Sequence, residues 1–284
     1  MVFYNYIEIG TSDFDTEIQK KNNYNGISIE PIKYYYDKLP NNLNKIKLNM
    51  AISDHKGKCY VYYLSEKTIK DYNLPEFVRG CNSINSYHPT VVTICKNNNI
   101  DFDKIYEKQE VNVDTLYNII INYNVDGFFY LKIDTEGHDT IILKKFYDDI
   151  NNNKYLPHII RFESNILTPN ENVINTINLF ANIGYEFISR TDADVVLKLN
   201  LKKIENKMTF TNELINYFIY DYPSNYDINN LPHDNTLKAA IKYCIINNCS
   251  GVTYQDNIYQ VRNGNYLYHF ENTKNIDLRT WVYI

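Results

Sequence analysis

Leu131-Lys132-Ile133-Asp134-Thr135-Glu136-Gly137-His138 is the stretch that decides the fold. Residues 128–133 form a continuous apolar strand broken only by Lys132, and the run stops at an acid. A buried parallel strand of an open α/β sheet reads this way, and ligands bind beyond its carboxyl end. Two earlier segments, Ile7-Glu8-Ile9-Gly10 and Ile27-Ser28-Ile29-Glu30-Pro31, also end in a glycine or an acid. Glu30 stands twenty residues after Gly10. The spacing predicts a nucleoside cofactor lying across the tips of three strands.

Working outward, strands are expected at 2–9, 26–29, 46–52, 58–64, 128–133 and 158–162. Helices are expected at 13–21, 33–39, 113–123, 140–146 and 173–183, with a closing hairpin of 186–189 and 195–199 around Asp192-Ala193-Asp194. Such alternation implies a mostly parallel, doubly wound α/β sheet with antiparallel strands at one edge. Residues 65–112 break the rhythm with Pro75, Gly80, Pro89 and an asparagine run, and are expected to be a lid or substrate element. Asn151-Asn152-Asn153 reads as a turn. The predicted organisation is a domain over 1–205 and a small α+β domain over 206–284. In the tail, loops are expected at 221–224 and 229–232 and a helix at 236–246. A small sheet of 251–261 and 266–270 should be turned by Asn263-Gly264-Asn265.

The 284 residues are 44% apolar, enough for a substantial core. The net charge of -5 argues against a broad nucleic-acid footprint, which needs clustered Lys and Arg. The 28 tyrosines are read as core and strand packing. No apolar stretch approaches the roughly 20 residues that span a bilayer, and residues 2–9 read as a strand without the basic segment or cleavage site expected of a leader. A soluble, cytoplasmic protein with no membrane or nucleic-acid partner is expected. Five cysteines without paired Cys-x-x-Cys spacing point to free thiols rather than a zinc site, with Cys244 and Cys249 open to pairing. Oligomeric state is open, a homo-oligomer included.

The candidate site residues follow from the strand ends. Gly10 permits close backbone approach, and the following Thr11-Ser12-Asp13-Phe14 is no full dinucleotide fingerprint. Glu30 can accept from both ribose hydroxyls. Asp54, aided by Ser53, could take an adenine amino group or simply form a turn before Gly57. Asp134 should face the cofactor's reactive group, with Glu136 beside it. His138 suits a general base or a helix cap. Glu163 should sit one strand over from Asp134, where two acids could make a base or hold a divalent ion. No metal-ligand set is assigned, and a metal requirement stays open. Arg79, Asn82, Ser83 and His88 form a donor-rich, substrate-facing candidate in the insertion.

With Ala51-Ile52-Ser53-Asp54 added, these motifs resemble the FkbM-type family of S-adenosylmethionine-dependent methyltransferases over residues 2–200. The most specific element is the L-K-I-D-x-E-G-H run. The resemblance implies a class I methyltransferase fold, Rossmann-like, with seven strands and the last antiparallel. It implies S-adenosylmethionine as cofactor and O-methylation of a small-molecule or glycan hydroxyl. It assigns Glu8 and Gly10 to the cofactor motif, Glu30 to the ribose and Asp134 to the catalytic face. The sequence departs from the family where Asp13-Phe14-Asp15-Thr16 replaces later glycines, so Thr11, Ser12 or backbone amides must contact the cofactor. Residues 244–253 and Trp281 are faintly similar to PAN-like or lectin-like modules. The alternatives are a glycan- or partner-binding protein on a methyltransferase scaffold and a NAD-linked oxidoreductase.

Overall fold

A computed structural model describes residues 2–13, 16–20, 24–150, 155–204, 211, 214, 215, 217–221, 236–269 and 277–284. In chain order its first elements are β1 (Val2–Ile9), α1 (Glu17–Lys20), β2 (Gly26–Ile29), α2 (Lys33–Lys38), β3 (Lys45–Leu48), β4 (Ala51–Ile52) and β5 (Gly57–Tyr63). There follow α3 (Glu66–Asp71), a 3₁₀ turn (Glu76–Arg79), β6 (Ser83–Ile84), α4 (Pro89–Asn97), α5 (Phe102–Ile105), β7 (Glu107–Asp114) and α6 (Leu116–Asn122). Then come β8 (Val125–Ile133), α7 (Asp139–Asp149), β9 (Ile159–Glu163), α8 (Asn170–Ala181), β10 (Tyr185–Arg190) and β11 (Asp194–Leu199).

One seven-stranded sheet carries the fold, in the order β10-β11-β9-β8-β1-β2-β3. Its strands are parallel except β11, which runs antiparallel to both β9 and β10. This is the Rossmann-like arrangement expected of a class I methyltransferase. Ile7, Ile9, Ile27, Ile29, Leu131, Ile133, Ile160 and Phe162 are all buried, as strands covered on both faces require. The order reverses between β1 and β8, and the crevice beyond that switch point is where open α/β sheets bind ligands.

Register sets the site. Ile9 pairs with Ile29 and with Ile133, and Ile133 with Phe162. The next position on each strand is therefore Gly10, Glu30, Asp134 and Glu163, side by side along the carboxyl edge.

A second sheet, β4-β7-β5-β6, lies beside the first. Its Val61, Val111 and Val113 pack with Ile32 and Tyr35 of the main fold. The segment between β5 and β7 has its own small core of Leu64, Ile69, Val78, Val91, Cys95 and Ile105. The stretch 65–112 is thus a folded element rather than a polar loop.

The tail contributes β12 (Leu214–Ile215), β13 (Tyr217–Ile219), α9 (Leu237–Ile246), β14 (Gly251–Gln255), β15 (Ile258–Arg262), β16 (Leu267–His269) and β17 (Arg279–Val282). Helix α9 packs Cys244 against Val252, Val261 and Trp281. Tyr217, Ile219, Leu267 and Val282 join the main core, so the tail and the seven-stranded sheet share apolar packing. None of the five cysteines, all of them described, is in a disulfide. No helix among the described residues is long and apolar enough to cross a membrane.

Three sequence expectations are corrected. The strand expected at 46–52 is two strands in different sheets, β3 and β4. The helix expected at 113–123 starts only at Leu116, because Val113 and Asp114 pair in β7 and Thr115 caps the helix through Asn118 N–H. The tail hairpin turns at Asp256-Asn257, both at positive φ (53° and 63°), and not at Asn263-Gly264-Asn265. Strand β16 pairs with β13 instead. The expected loops at 222–224 and 229–232, the turn at 151–153, residues 14, 15 and 21 of the first helix, Phe270, and the boundary at 205–210 lie outside the described residues.

Candidate functional site

A cavity of about 430 Å³ lies over the carboxyl edge between β1, β2, β8 and β9. Its floor is the row Gly10, Glu30, Asp134 and Glu163. Met50, Ala51 and Ile52 wall one end, and Phe77, Cys81, Asn82, Ser83 and His88 of the insertion close it from above.

Gly10 has φ 77°, in the left-handed region. A Cβ there would lie 1.9 Å from the Asp134 carbonyl oxygen, so only glycine lets β1 and β8 meet at this point. Backbone bonds lock the junction: Gly10 N–H donates to Ile29 O at 3.0 Å, and Asp134 N–H to Ile9 O at 2.9 Å.

The Glu30 carboxylate organises the loop after Gly10. Ser12 N–H donates to it at 2.6 Å, Ile32 N–H at 2.9 Å, and the Thr11 hydroxyl lies 3.4 Å away. Burial pushes its pKa up to about 7, against the pull of those donors. Ser12 lines the cavity, and its buried hydroxyl has no hydrogen-bond partner among the described residues.

Across the floor stands a second acidic group. Asp134, Glu136 and Glu163 present carboxylate oxygens within 4.8 Å of one another. Burial raises the pKa of Asp134, which lies 3.7 Å from the Lys132 ammonium. The Glu163 pKa is driven well up by burial, then by the charges of Glu136, Asp139 and Asp134. Asn165 Nδ2 donates to Glu163 Oε1 at 2.5 Å. Such a trio can hold a hard cation, or share protons as coupled acids.

His88 bridges from the insertion to this group, with Nε2 3.1 Å from Glu136 Oε2. Its Nδ1 accepts from Thr90 N–H at 3.3 Å, which places the ring proton on Nε2. In that tautomer His88 donates to Glu136 and offers no lone pair to a metal there.

The structure brings ten of the sequence candidates together at the cavity: Gly10, Thr11, Ser12, Glu30, Asn82, Ser83, His88, Asp134, Glu136 and Glu163. Five fall outside its lining. Glu8 is fully buried beside the sheet, where it accepts from Glu17 N–H at 3.0 Å and pairs with Lys132 at 3.3 Å. His138 faces Ser53 at 2.9 Å, and burial holds its pKa below the ordinary value. Asp54 is exposed and bonded to His55. Arg79 reaches Asp13 at 3.3 Å, tying the insertion to the loop after Gly10.

Sequence reading missed Thr135, Cys81 and Asn165, which line the cavity, and Asp139. Buried Asp139 accepts from Thr135 N–H, the Thr135 hydroxyl and Glu163 N–H at 3.2, 2.7 and 2.9 Å, which joins the tips of β8 and β9. Asn165 had a signal, since it follows a strand-terminal acid by two positions.

The mostly parallel seven-stranded sheet with a cavity at its switch point is an α/β fold of Rossmann-like methyltransferase architecture. The family model described as Methyltransferase FkbM domain matches residues 6–187, and the chain belongs to that methyltransferase family. No curated protein and no solved structure matches the chain.

Proposed function

We propose that this methyltransferase uses S-adenosylmethionine to methylate a hydroxyl of a sugar, glycan or related small molecule. The observation that carries this reading is the register row Gly10, Glu30, Asp134 and Glu163 along one cavity floor. When bound, S-adenosylmethionine supplies a methyl group that passes from its positively charged sulfur to the acceptor oxygen. The residues fit it: the volume of about 430 Å³ lies within the usual range of ligand sites, and the floor is acidic where a cation must be held.

Glu30 lines the cavity where ribose hydroxyls would lie, and the loop Gly10-Thr11-Ser12 is held at close range by the same carboxylate. Asp134 balances positive charge at the centre of the floor. Glu163 is the proton acceptor. Burial and then its acidic neighbours favour its protonated form, and positive charge arriving in the cavity lowers its pKa again, so that its proton leaves to solvent and the carboxylate can take the hydroxyl proton. Asn165 and the Asp139–Glu163 N–H bond fix its orientation. Asn82, Ser83 and His88 are placed to meet the acceptor from above, and alignment of the reactants supplies much of the rate.

Titration calorimetry with S-adenosylmethionine tests this. The parent protein should bind it, and Glu30→Ala should weaken binding at least tenfold, as loss of hydrogen bonds to a charged group implies (~1.5–3 kcal/mol). Absence of binding to the parent protein overturns the reading.

A further inference from the structure

Charge across the cavity is one-sided. Glu30, Asp134, Glu136 and Glu163 line it, and the lining among the described residues contains no lysine or arginine. The cations nearest the site lie outside the lining: Arg79 meets Asp13, Lys132 meets Glu8 and, at 3.7 Å, Asp134 from behind the floor, and Arg161 meets Asp194 at 2.6 Å. His88 already donates its ring N–H to Glu136.

The polar atoms left over are also one-sided. Asn82 Oδ1 and Glu163 Oε2 are buried, belong to residues that line the cavity and have no hydrogen-bond partner among the described residues. Asn82 Oδ1 accepts, its amide nitrogen giving one proton to Arg79 O at 3.2 Å, and Glu163 Oε2 accepts once its carboxyl has lost its proton. Buried acceptor atoms require donors, and a cavity lined by four acids and no lysine or arginine favours a positively charged ligand. S-adenosylmethionine carries a sulfonium and an ammonium against one carboxylate, a single net positive charge. That charge offsets only part of the surplus, and Glu136 and Glu163 remain on the acceptor side.

We propose that the acceptor is a hydroxylated amine of amino-sugar type, whose ammonium is held by Glu136 and Asn82 while its hydroxyl faces Glu163, and that phosphorylated and carboxylated acceptors are rejected. The proposal rests on the S-adenosylmethionine reading above. An ammonium brings three donors and one positive charge to Asn82 Oδ1 and to the Glu136 carboxylate, whose partners His88 and Asn165 are neutral donors on Oε2 alone. A phosphate or carboxylate would meet only carboxylates and acceptor oxygens, with no cation in the lining to receive it.

The test is transfer of tritiated methyl from S-adenosylmethionine to glucosamine, glucose, glucose 6-phosphate and glucuronate, with and without a chelator. Glucosamine should exceed glucose at least tenfold in kcat/KM, the two anions should give no label above background, and the chelator should change nothing. Glu136→Gln should shrink the glucosamine-to-glucose ratio to threefold or less. Equal use of glucose and glucosamine, label on either anion, or no label on any acceptor by a protein that binds the cofactor overturns the proposal. So does activity lost to the chelator and restored by magnesium, since a divalent ion would then balance the acids. Failure of cofactor binding in calorimetry is a separate result and sinks the methyltransferase reading itself.

Discussion

Gly10→Ala is the sharpest test of how the site is built. The new methyl would sit 1.9 Å from the Asp134 carbonyl oxygen, a backbone atom of the neighbouring strand that no side-chain rotation can move. Residue 10 would also have to keep φ 77° with a Cβ, at a cost of ~1–2 kcal/mol. Relief of the clash means parting the tips of β1 and β8, which strains the Asp134 N–H to Ile9 O bond and the Gly10 N–H to Ile29 O bond. Each such bond contributes ~1 kcal/mol net. The whole effect is therefore ~3–4 kcal/mol, a large share of the 5–15 kcal/mol that holds a typical domain. Urea denaturation followed by circular dichroism measures it, and calorimetry should show at least tenfold weaker cofactor binding in the folded variant. A loss under ~1 kcal/mol with unchanged affinity would refute the tight β1–β8 junction.

Stability should fall as pH rises from about 5.5 to 8. Buried Glu8, Glu30 and Asp139 have their pKa raised to about 7 from ordinary values of 4.5, 4.5 and 3.8, so the folded chain binds more protons than the unfolded one across that window. Buried His158, held down to about 3, and His138, held below its ordinary value, pull the other way below pH 6.5, but they are two groups against three. Denaturation midpoints that rise towards pH 8 would contradict this. Asp139→Ala removes the acceptor for three donors and should cost ~3 kcal/mol, with a larger fall in kcat than in cofactor affinity because it frees Glu163; equal loss of both would point to general unfolding. Glu163→Gln should lower kcat at least 100-fold, within the range for a general base, whereas His138→Ala should change it less than threefold. The reverse order would return the base to His138.

The strand tips were legible because each is a local pattern, an apolar run closed by a glycine or an acid. The insertion hid its strands behind polar residues: β7 (Glu107–Asp114) alternates exposed and buried positions only where it meets β5, a pairing that spans some fifty residues. His138 shows why adjacency in a motif misleads. Glu136 and Gly137 have φ of 53° and 92°, and these two left-handed residues turn the chain away from the cavity before His138 is reached. It then faces Ser53, outside the lining. Glu8 precedes the tip of β1 by two positions and its side chain is spent inside, on Lys132 and the first amide of α1.

By itself the sequence determined the architecture and the chemical kinds of residue at the carboxyl edge, because burial and strand length act on neighbours along the chain. The L-K-I-D-x-E-G-H run carried enough of this to indicate the family. Only the tertiary structure decided which polar groups share one cavity. Register set Gly10, Glu30, Asp134 and Glu163 in a row, and the insertion brought His88 and Asn82 over it. Those meetings join residues as many as 153 positions apart, and they depend on strand pairing and close packing that no local pattern encodes.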